Sequence, residues 1–161
     1  MPYLFSEHPL ALGTGRGERL VALGPLPARM VMLFVPPFGV SSNDAFAWHA
    51  ALHGDNPGPT HPHLLLPAPL SWHVVGAYAS NDLEAAVFAR HPELAEMRDA
   101  LARSGARIAR MTGSGSTLFG VYDIGAVRGD VEIDIERNSD DFAARLIETA
   151  TVQNIAEVEL L

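Results

Sequence analysis

The densest set of ligand-capable groups in this chain is the segment Arg110-Met111-Thr112-Gly113-Ser114-Gly115-Ser116-Thr117-Leu118-Phe119-Gly120. Gly113 and Gly115 can take positive φ without steric cost, so successive backbone N–H groups can face one concavity and hold an anion such as a phosphate. Ser114, Ser116 and Thr117 add hydroxyl donors to the same short stretch. The composition also suits a tight glycine-rich turn, and a short motif alone does not separate the two.

A second group of candidates is histidine-based. His49 and His53 stand one helical turn apart, and His61, His63 and Asp55 follow within the proline-rich stretch Gly54 to Pro69. Imidazoles and a carboxylate are zinc ligands. No regular element is expected there to fix ligand geometry, so a polar surface loop without metal is the expectation. Gly13-Thr14-Gly15-Arg16-Gly17-Glu18 looks superficially like a nucleotide loop. It lacks the strand-turn-helix setting and final glycine of a dinucleotide fingerprint, and reads as a hairpin turn.

The elements that must position these groups follow from apolar spacing and from punctuation by glycine and proline. Residues 1–28 read as turns and short extended pieces. Met30 to Val35 is a continuous apolar run stopped by Pro36-Pro37, which predicts a buried strand. Asn43 to Leu52 predicts a helix with Ser41 or Ser42 as cap. Asn81 to Phe88 predicts a short helix opened by Asn81 or Asp82. Pro92 to Ser104 predicts a longer one, with proline in the first turn, Leu94, Met97 and Leu101 on one stripe, and Gly105 just beyond. Arg107 to Met111 and Thr117 to Tyr122 predict neighbouring strands joined by the glycine loop. Val131, Ile133 and Ile135 alternate with acidic residues as in a half-exposed strand. Phe142 to Thr149 reads as a last helix and Ile155 to Leu161 as a closing strand. The predicted fold class is α+β, an antiparallel sheet with helices packed on one face.

Composition narrows the function classes. The 161 residues are 48% hydrophobic and 19% charged, enough for one ordinary domain with a core. No apolar run reaches the roughly 18 residues that span a bilayer. The start of the chain lacks the basic residues and cleavage site of a signal peptide, so the expected compartment is the cytoplasm. Without cysteine there is no disulfide, thiolate ligand or cysteine nucleophile. A net charge of −8 disfavours non-specific nucleic-acid binding. All eleven basic residues are arginine, so a step needing a lysine ammonium must take it from elsewhere.

Four segments in order carry a resemblance. They are Gly15-Arg16-Gly17-Glu18, then Pro36-Pro37-Phe38-Gly39-Val40-Ser41-Ser42, then Asn81-Asp82-Leu83-Glu84, and finally Met111 through Phe119. In this set the chain resembles the C-terminal part of the GHMP kinases. Within that family it is most similar to the branch that phosphorylates a cytidine diphosphate conjugate in non-mevalonate isoprenoid precursor synthesis. The resemblance implies transfer of the ATP γ-phosphoryl to the 2-hydroxyl of 4-diphosphocytidyl-2-C-methyl-D-erythritol, with ATP and Mg2+ as cofactors. Such transfer needs alignment and charge neutralisation more than covalent help.

By the same resemblance Gly113, Ser114, Gly115, Ser116 and Thr117 form a phosphate-proximal loop, and Ser42 lies near the reacting groups. Phe46 matches an aromatic residue that stacks on the cytosine ring; as a helix residue it could equally pack into the core. The family's main ATP loop, catalytic lysine and catalytic aspartate have no counterpart here, and Met1 aligns one position after that aspartate. Residues 1–28 are therefore expected to be a remnant of the N-terminal kinase domain and 29–161 the C-terminal domain, inactive alone. Apolar surface left by the absent half is expected to favour self-association. No catalytic residue and no metal site is assigned within the chain. The alternatives are a stand-alone, non-catalytic module that binds a nucleotide or a protein, and a histidine-based metal protein.

Overall fold

The computed structural model describes residues 8–15, 17–54, 69–125 and 144–151. The expected strands at 131–135 and 155–161, the histidines His61 and His63, and Asp55 lie outside the described residues.

The first described elements are a hairpin, β1 (Ala11–Thr14) and β2 (Arg19–Ala22), antiparallel with Thr14 opposite Arg19, and Gly17 N–H donates to Thr14 O at 3.2 Å where the chain reverses. The remaining strands make one sheet: β3 (Met30–Val35), β4 (Ile108–Met111), β5 (Leu118–Tyr122) and β6 (Arg145–Ala150), in the order β4-β5-β3-β6, every pair antiparallel. The strand expected over Met30 to Val35 is found with those bounds. It lies between β5 and β6, and its alternate residues Met32 and Phe34 are buried.

The expected helix over Phe142–Thr149 is not observed. Arg145–Ala150 is strand β6, paired along the whole of β3 from Met30↔Ala150 to Val35↔Arg145. Without β6, β3 would present a row of unpaired backbone groups, which a ladder satisfies and a helix would not. Thr151 extends the ladder: its N–H donates to the Arg29 carbonyl and its hydroxyl accepts from the Arg29 N–H, both at 2.9 Å. Pairing across the sheet outweighs a weak local helical pattern.

Helices α1 (Ser42–His53), α3 (Glu84–Phe88) and α4 (Pro92–Arg103) cover one face. The stripe Leu94, Met97 and Leu101 of α4 enters a single core with Met32, Phe34, Met111, Leu118 and Tyr122. Helix α4 closes at its end through Gly105 N–H to Ala102 O and Ala106 N–H to Leu101 O, the paired bonds of a Schellman ending. The fully buried Tyr122 ties β5 to that end, its hydroxyl 2.9 Å from that of Ser104. Helix α1 is held to the α3–α4 turn by aromatic contacts. Its Trp48 ring centre lies 4.7 Å from the Arg90 guanidinium and 6.0 Å from that of His91, while Phe38, ahead of the helix, stacks on His91 at 4.9 Å.

Helix α2 (Trp72–Tyr78) is not foreseen by periodicity. It is capped by Ser71, whose hydroxyl accepts from Val74 N–H at 3.3 Å. It lies beside β4, where a Cβ on Gly76 would meet Ile108 at 3.4 Å and the Arg107 carbonyl at 3.5 Å. A methyl at this position would sit in ordinary contact with β4, so the helix packs directly on the strand there. At the sheet end away from the glycine loop, Asp123 receives both Arg107 and Arg29, the latter at 3.1 Å. The hydrogen bond from Arg107 holds the Asp123 carboxyl below the usual carboxylate range.

Candidate functional site

The glycine loop is built by a hairpin that needs two unusual residues. Thr112 N–H donates to Thr117 O at 2.9 Å and closes the ladder of β4 and β5; Gly115 N–H turns back to Thr112 O at 3.1 Å. Gly113 has φ of 57° and Gly115 of 93°. A Cβ at Gly115 would also stand 2.8 Å from the Met111 sulfur, so both conformation and space demand glycine there. The amides of Gly113 and Ser114 donate to no partner among the described residues.

Two serines fasten this loop to the chain that leaves β3. Ser114 Oγ donates to the Val40 carbonyl at 3.3 Å, and Ser116 Oγ donates to the Phe38 carbonyl. The Pro36–Ser42 segment, which cannot be regular after two prolines, therefore runs along the glycine loop and delivers α1 beside it. Ser41 caps α1 by accepting from Asp44 N–H at 3.4 Å, which leaves Ser42, the first helical residue, facing the loop. Its hydroxyl lies 3.1 Å from that of Ser114.

A third segment grips the loop from the opposite side. Asn81 donates through Nδ2 to Met111 O at 2.9 Å and to Gly113 O at 2.8 Å, while its Oδ1 accepts from Leu83 N–H at 3.1 Å. Glu84 Oε1 accepts from Met111 N–H at 2.7 Å. The expected helix start at Asn81 or Asp82 is corrected by this geometry. Residues 81–83 form a turn spent on the loop, and α3 begins at Glu84.

Between these three segments opens a cleft of about 800 Å³. Ser42, Phe46 and His49 of α1 form one wall; Ala79 to Leu83 form another; Arg110 to Ser114 and Phe119 form the floor. Of the expected site residues, Ser42, Phe46, Gly113 and Ser114 line the cleft. Gly115, Ser116 and Thr117 do not. Ser116 is 4% exposed with its hydroxyl on Phe38 O, which makes it a fastener of the loop. Phe46 is 62% exposed, so the core-packing alternative for it is excluded.

Asn81, Asp82, Arg110, Phe119 and His49 also line the cleft without having been given a site role from the sequence. Asn81 and Asp82 carry a signal in the Asn-Asp-Leu-Glu motif, whereas Arg110 carries none. Arg110 is held in the floor by Nε to Ala79 O at 2.9 Å and Nη1 to Ala109 O at 3.1 Å. A guanidinium fixed in this way offers positive charge and planar donors toward an anion. Phe46 and Phe119 add flat apolar surface. The cleft thus joins an aromatic wall, hydroxyls, unpartnered amides and one cation, a set able to hold a flat base attached to phosphate.

His49 and His53 are adjacent, with ring centres 4.2 Å apart. Their Nδ1 atoms sit on the carbonyls of Asp82 and His49, at 3.1 and 2.9 Å. Among the described residues no three histidine or acidic side chains are gathered as metal ligands. Nor is any helix among them long and apolar enough to cross a membrane.

Known proteins resemble this chain in sequence and in fold. The family described as GHMP kinases C terminal matches residues 70–140. A 4-diphosphocytidyl-2-C-methyl-D-erythritol kinase from Geobacter sp. (strain M21) is 35% identical over 147 residues, which is 89% of this chain and 49% of that protein. One of the same name from Rhizobium etli (strain CIAT 652) is 37% identical over 122 residues, 76% of this chain and 40% of the other. The chain spans about half the length of the curated relatives it matches. Among solved structures, a crystal structure of 4-(cytidine 5'-diphospho)-2C-methyl-D-erythritol kinase superposes with TM-score 0.56 at 26% identity. It covers 87% of this chain and 48% of that one. A homoserine kinase from Cytophaga hutchinsonii ATCC 33406 superposes with TM-score 0.59 at 15% identity, over 89% of this chain and 48% of that one, and is similar in fold alone.

Proposed function

We propose that this chain, which carries a GHMP kinase C-terminal domain at residues 70–140, supplies the substrate-binding side of an ATP-dependent kinase acting on 4-diphosphocytidyl-2-C-methyl-D-erythritol. The observation that carries this reading is the meeting of Ser42 and Ser114. Residues 72 apart in sequence bring their hydroxyls to 3.1 Å in a cleft whose wall is the exposed ring of Phe46. On this reading the ring stacks on the cytosine base. The amides of Gly113 and Ser114, with the Ser42 and Ser114 hydroxyls and the Arg110 guanidinium, meet phosphoryl oxygens. The acceptor 2-hydroxyl then lies near the loop, where the γ-phosphoryl of ATP arrives. Transfer of this kind gains most from alignment and from donors that neutralise charge.

The same residues set the limits of what the chain does. Among the lining residues only Asp82 and His49 are able to accept a proton, and the sequence has no lysine. Asp82 is the sole carboxylate among the lining residues. Magnesium in kinases is held by one or two carboxylates together with the nucleotide's phosphates. These residues therefore do not make a metal site on their own. Binding and orientation of the substrate are the part this reading gives to the residues that line the cleft.

Two measurements test this together. Calorimetric titration with CDP and with the diphosphocytidyl substrate is expected to show saturable one-site binding. Phosphoryl transfer is expected only when the N-terminal domain of a relative kinase is supplied in trans. Binding without any such complementation would favour a non-catalytic nucleotide-binding module. No binding at millimolar ligand would refute the proposal outright.

A further inference from the structure

We propose that Asn81 is a positioning residue that decides which way the Gly113–Ser114 peptide faces, and so whether the loop offers the Ser114 N–H to an anion. This rests on the proposed phosphate-binding role of the loop. Asn81 has two amide donors and one carbonyl acceptor, and all are used: the donors on Met111 O and Gly113 O, the acceptor on Leu83 N–H. It spans 30 residues to reach Met111 and 32 to reach Gly113, so it does more than close the local turn with Leu83.

The planarity of the peptide bond turns these bonds into a directional statement. In a trans peptide the C=O and the following N–H point in opposite directions. Asn81 draws the Met111 carbonyl to its own side, and the Thr112 N–H is accordingly found on the other, at 2.9 Å from Thr117 O. The same amide draws the Gly113 carbonyl, so the Ser114 N–H faces away from Asn81 and is left without a protein partner among the described residues. The positive φ of Gly113 makes that orientation accessible. Released from Asn81, the 113–114 peptide is free to rotate its carbonyl into the anion's place, where it would repel instead of bind. Glu84, on Met111 N–H at 2.7 Å, holds the base of the loop still while Asn81 sets its tip.

The critical variant is Asn81→Asp in the full chain. It keeps size and the acceptor that serves Leu83, but replaces two donors by an oxygen facing two carbonyl oxygens. In ligand-free protein, amide NMR is expected to show shifts confined to Thr112, Gly113 and Ser114, with hydrogen exchange at Ser114 altered several-fold. Amides of β3 and α4 should stay in place. With inorganic pyrophosphate as probe, followed at the Ser114 amide, the variant is expected to bind at least tenfold more weakly than the wild type.

Unchanged loop amides in N81D, or pyrophosphate affinity within twofold of wild type, would overturn the positioning role and leave the anion-binding reading intact. If the wild type itself binds neither pyrophosphate nor CDP, the functional reading falls, and the ligand-free spectra still decide what Asn81 does. Should N81D not fold, the wild-type side-chain amide decides the matter. Both Asn81 Nδ2 protons are expected to exchange far more slowly than those of a solvated amide, and rapid exchange of both would sink the proposal.

Discussion

Replacing Phe46 by alanine separates recognition from folding in a way the cleft makes quantitative. The ring is 62% exposed, so about two-fifths of it is buried by the protein. Full burial of a phenylalanine contributes up to about 3 kcal/mol, so the lost packing is about 1 kcal/mol. Alanine regains roughly 0.5 kcal/mol of helix propensity within α1. The net loss of stability is therefore about 0.5 kcal/mol, a fall of ~1–2 °C in melting temperature for a chain of this size. Ligand binding should respond very differently. A stacked base contributes ~1–3 kcal/mol, which weakens CDP binding by about 5- to 150-fold when the ring is removed. Calorimetry with CDP and with inorganic pyrophosphate, beside thermal melts, reads both effects. The loss should fall on CDP and spare pyrophosphate, and F46W should restore most of it. Equal weakening of both ligands, CDP affinity within twofold of wild type, or a melting temperature lowered by more than about 5 °C would refute the assignment of Phe46 as a base platform.

Other substitutions probe the loop and the core. Gly115→Ala should destabilise by roughly 2 kcal/mol or more, since it combines a positive φ with a clash on the Met111 sulfur; Gly113→Ala, which meets open space, should cost about 1 kcal/mol, and denaturant titration ranks the two. Leu101→Ala, at a fully buried site, should lower stability by about 2–5 kcal/mol in the same titration while the CDP affinity of the folded fraction holds. Burial raises the Tyr122 hydroxyl above its ordinary pKa of 10.0. The folded state thus holds that proton more tightly than the unfolded chain, so the stabilisation is whole below pH 10 and drains away as pH rises past it. Tyr122→Phe should accordingly flatten the alkaline limb of a stability-against-pH profile, and an unchanged limb would count against burial of this hydroxyl as the cause.

The features legible in the sequence are those that depend on near neighbours. The hairpin at Gly13–Glu18, strand β3 stopped by Pro36, and helix α4 between Pro92 and Gly105 are each announced by residues within a few positions. Helix α2 is hidden because Val74, Val75 and Gly76 are poor helix formers; the Ser71 cap and the fit of Gly76 against β4 supply what propensity does not. Strand β6 reads wrongly as a helix because its reason for being extended is β3, more than 100 positions earlier. The cleft divides in the same way. Its glycine loop stands out by residue type, and Phe46 by the family resemblance alone. Arg110 shows no sign of lining a cleft, since its place there is set by the carbonyl of Ala79. Asn81 belongs to a recognisable motif, but the two carbonyls it holds are invisible without the fold.

Among the described residues strand β4 bounds the sheet on one side, and antiparallel pairing with β5 leaves the backbone groups of Met111 pointing outward. Strand rims of this kind are templates on which a second extended chain can grow. Here Glu84 already occupies the N–H and Asn81 the carbonyl of Met111, while α2 stands against the Arg107 carbonyl at the strand's other end. An incoming strand would have to displace a carboxylate and an amide to bond the backbone of Met111. The residues that shape the cleft therefore also keep this rim from recruiting further strands, so variants at Asn81 and Glu84 should be watched for fibrous aggregation as closely as for lost binding.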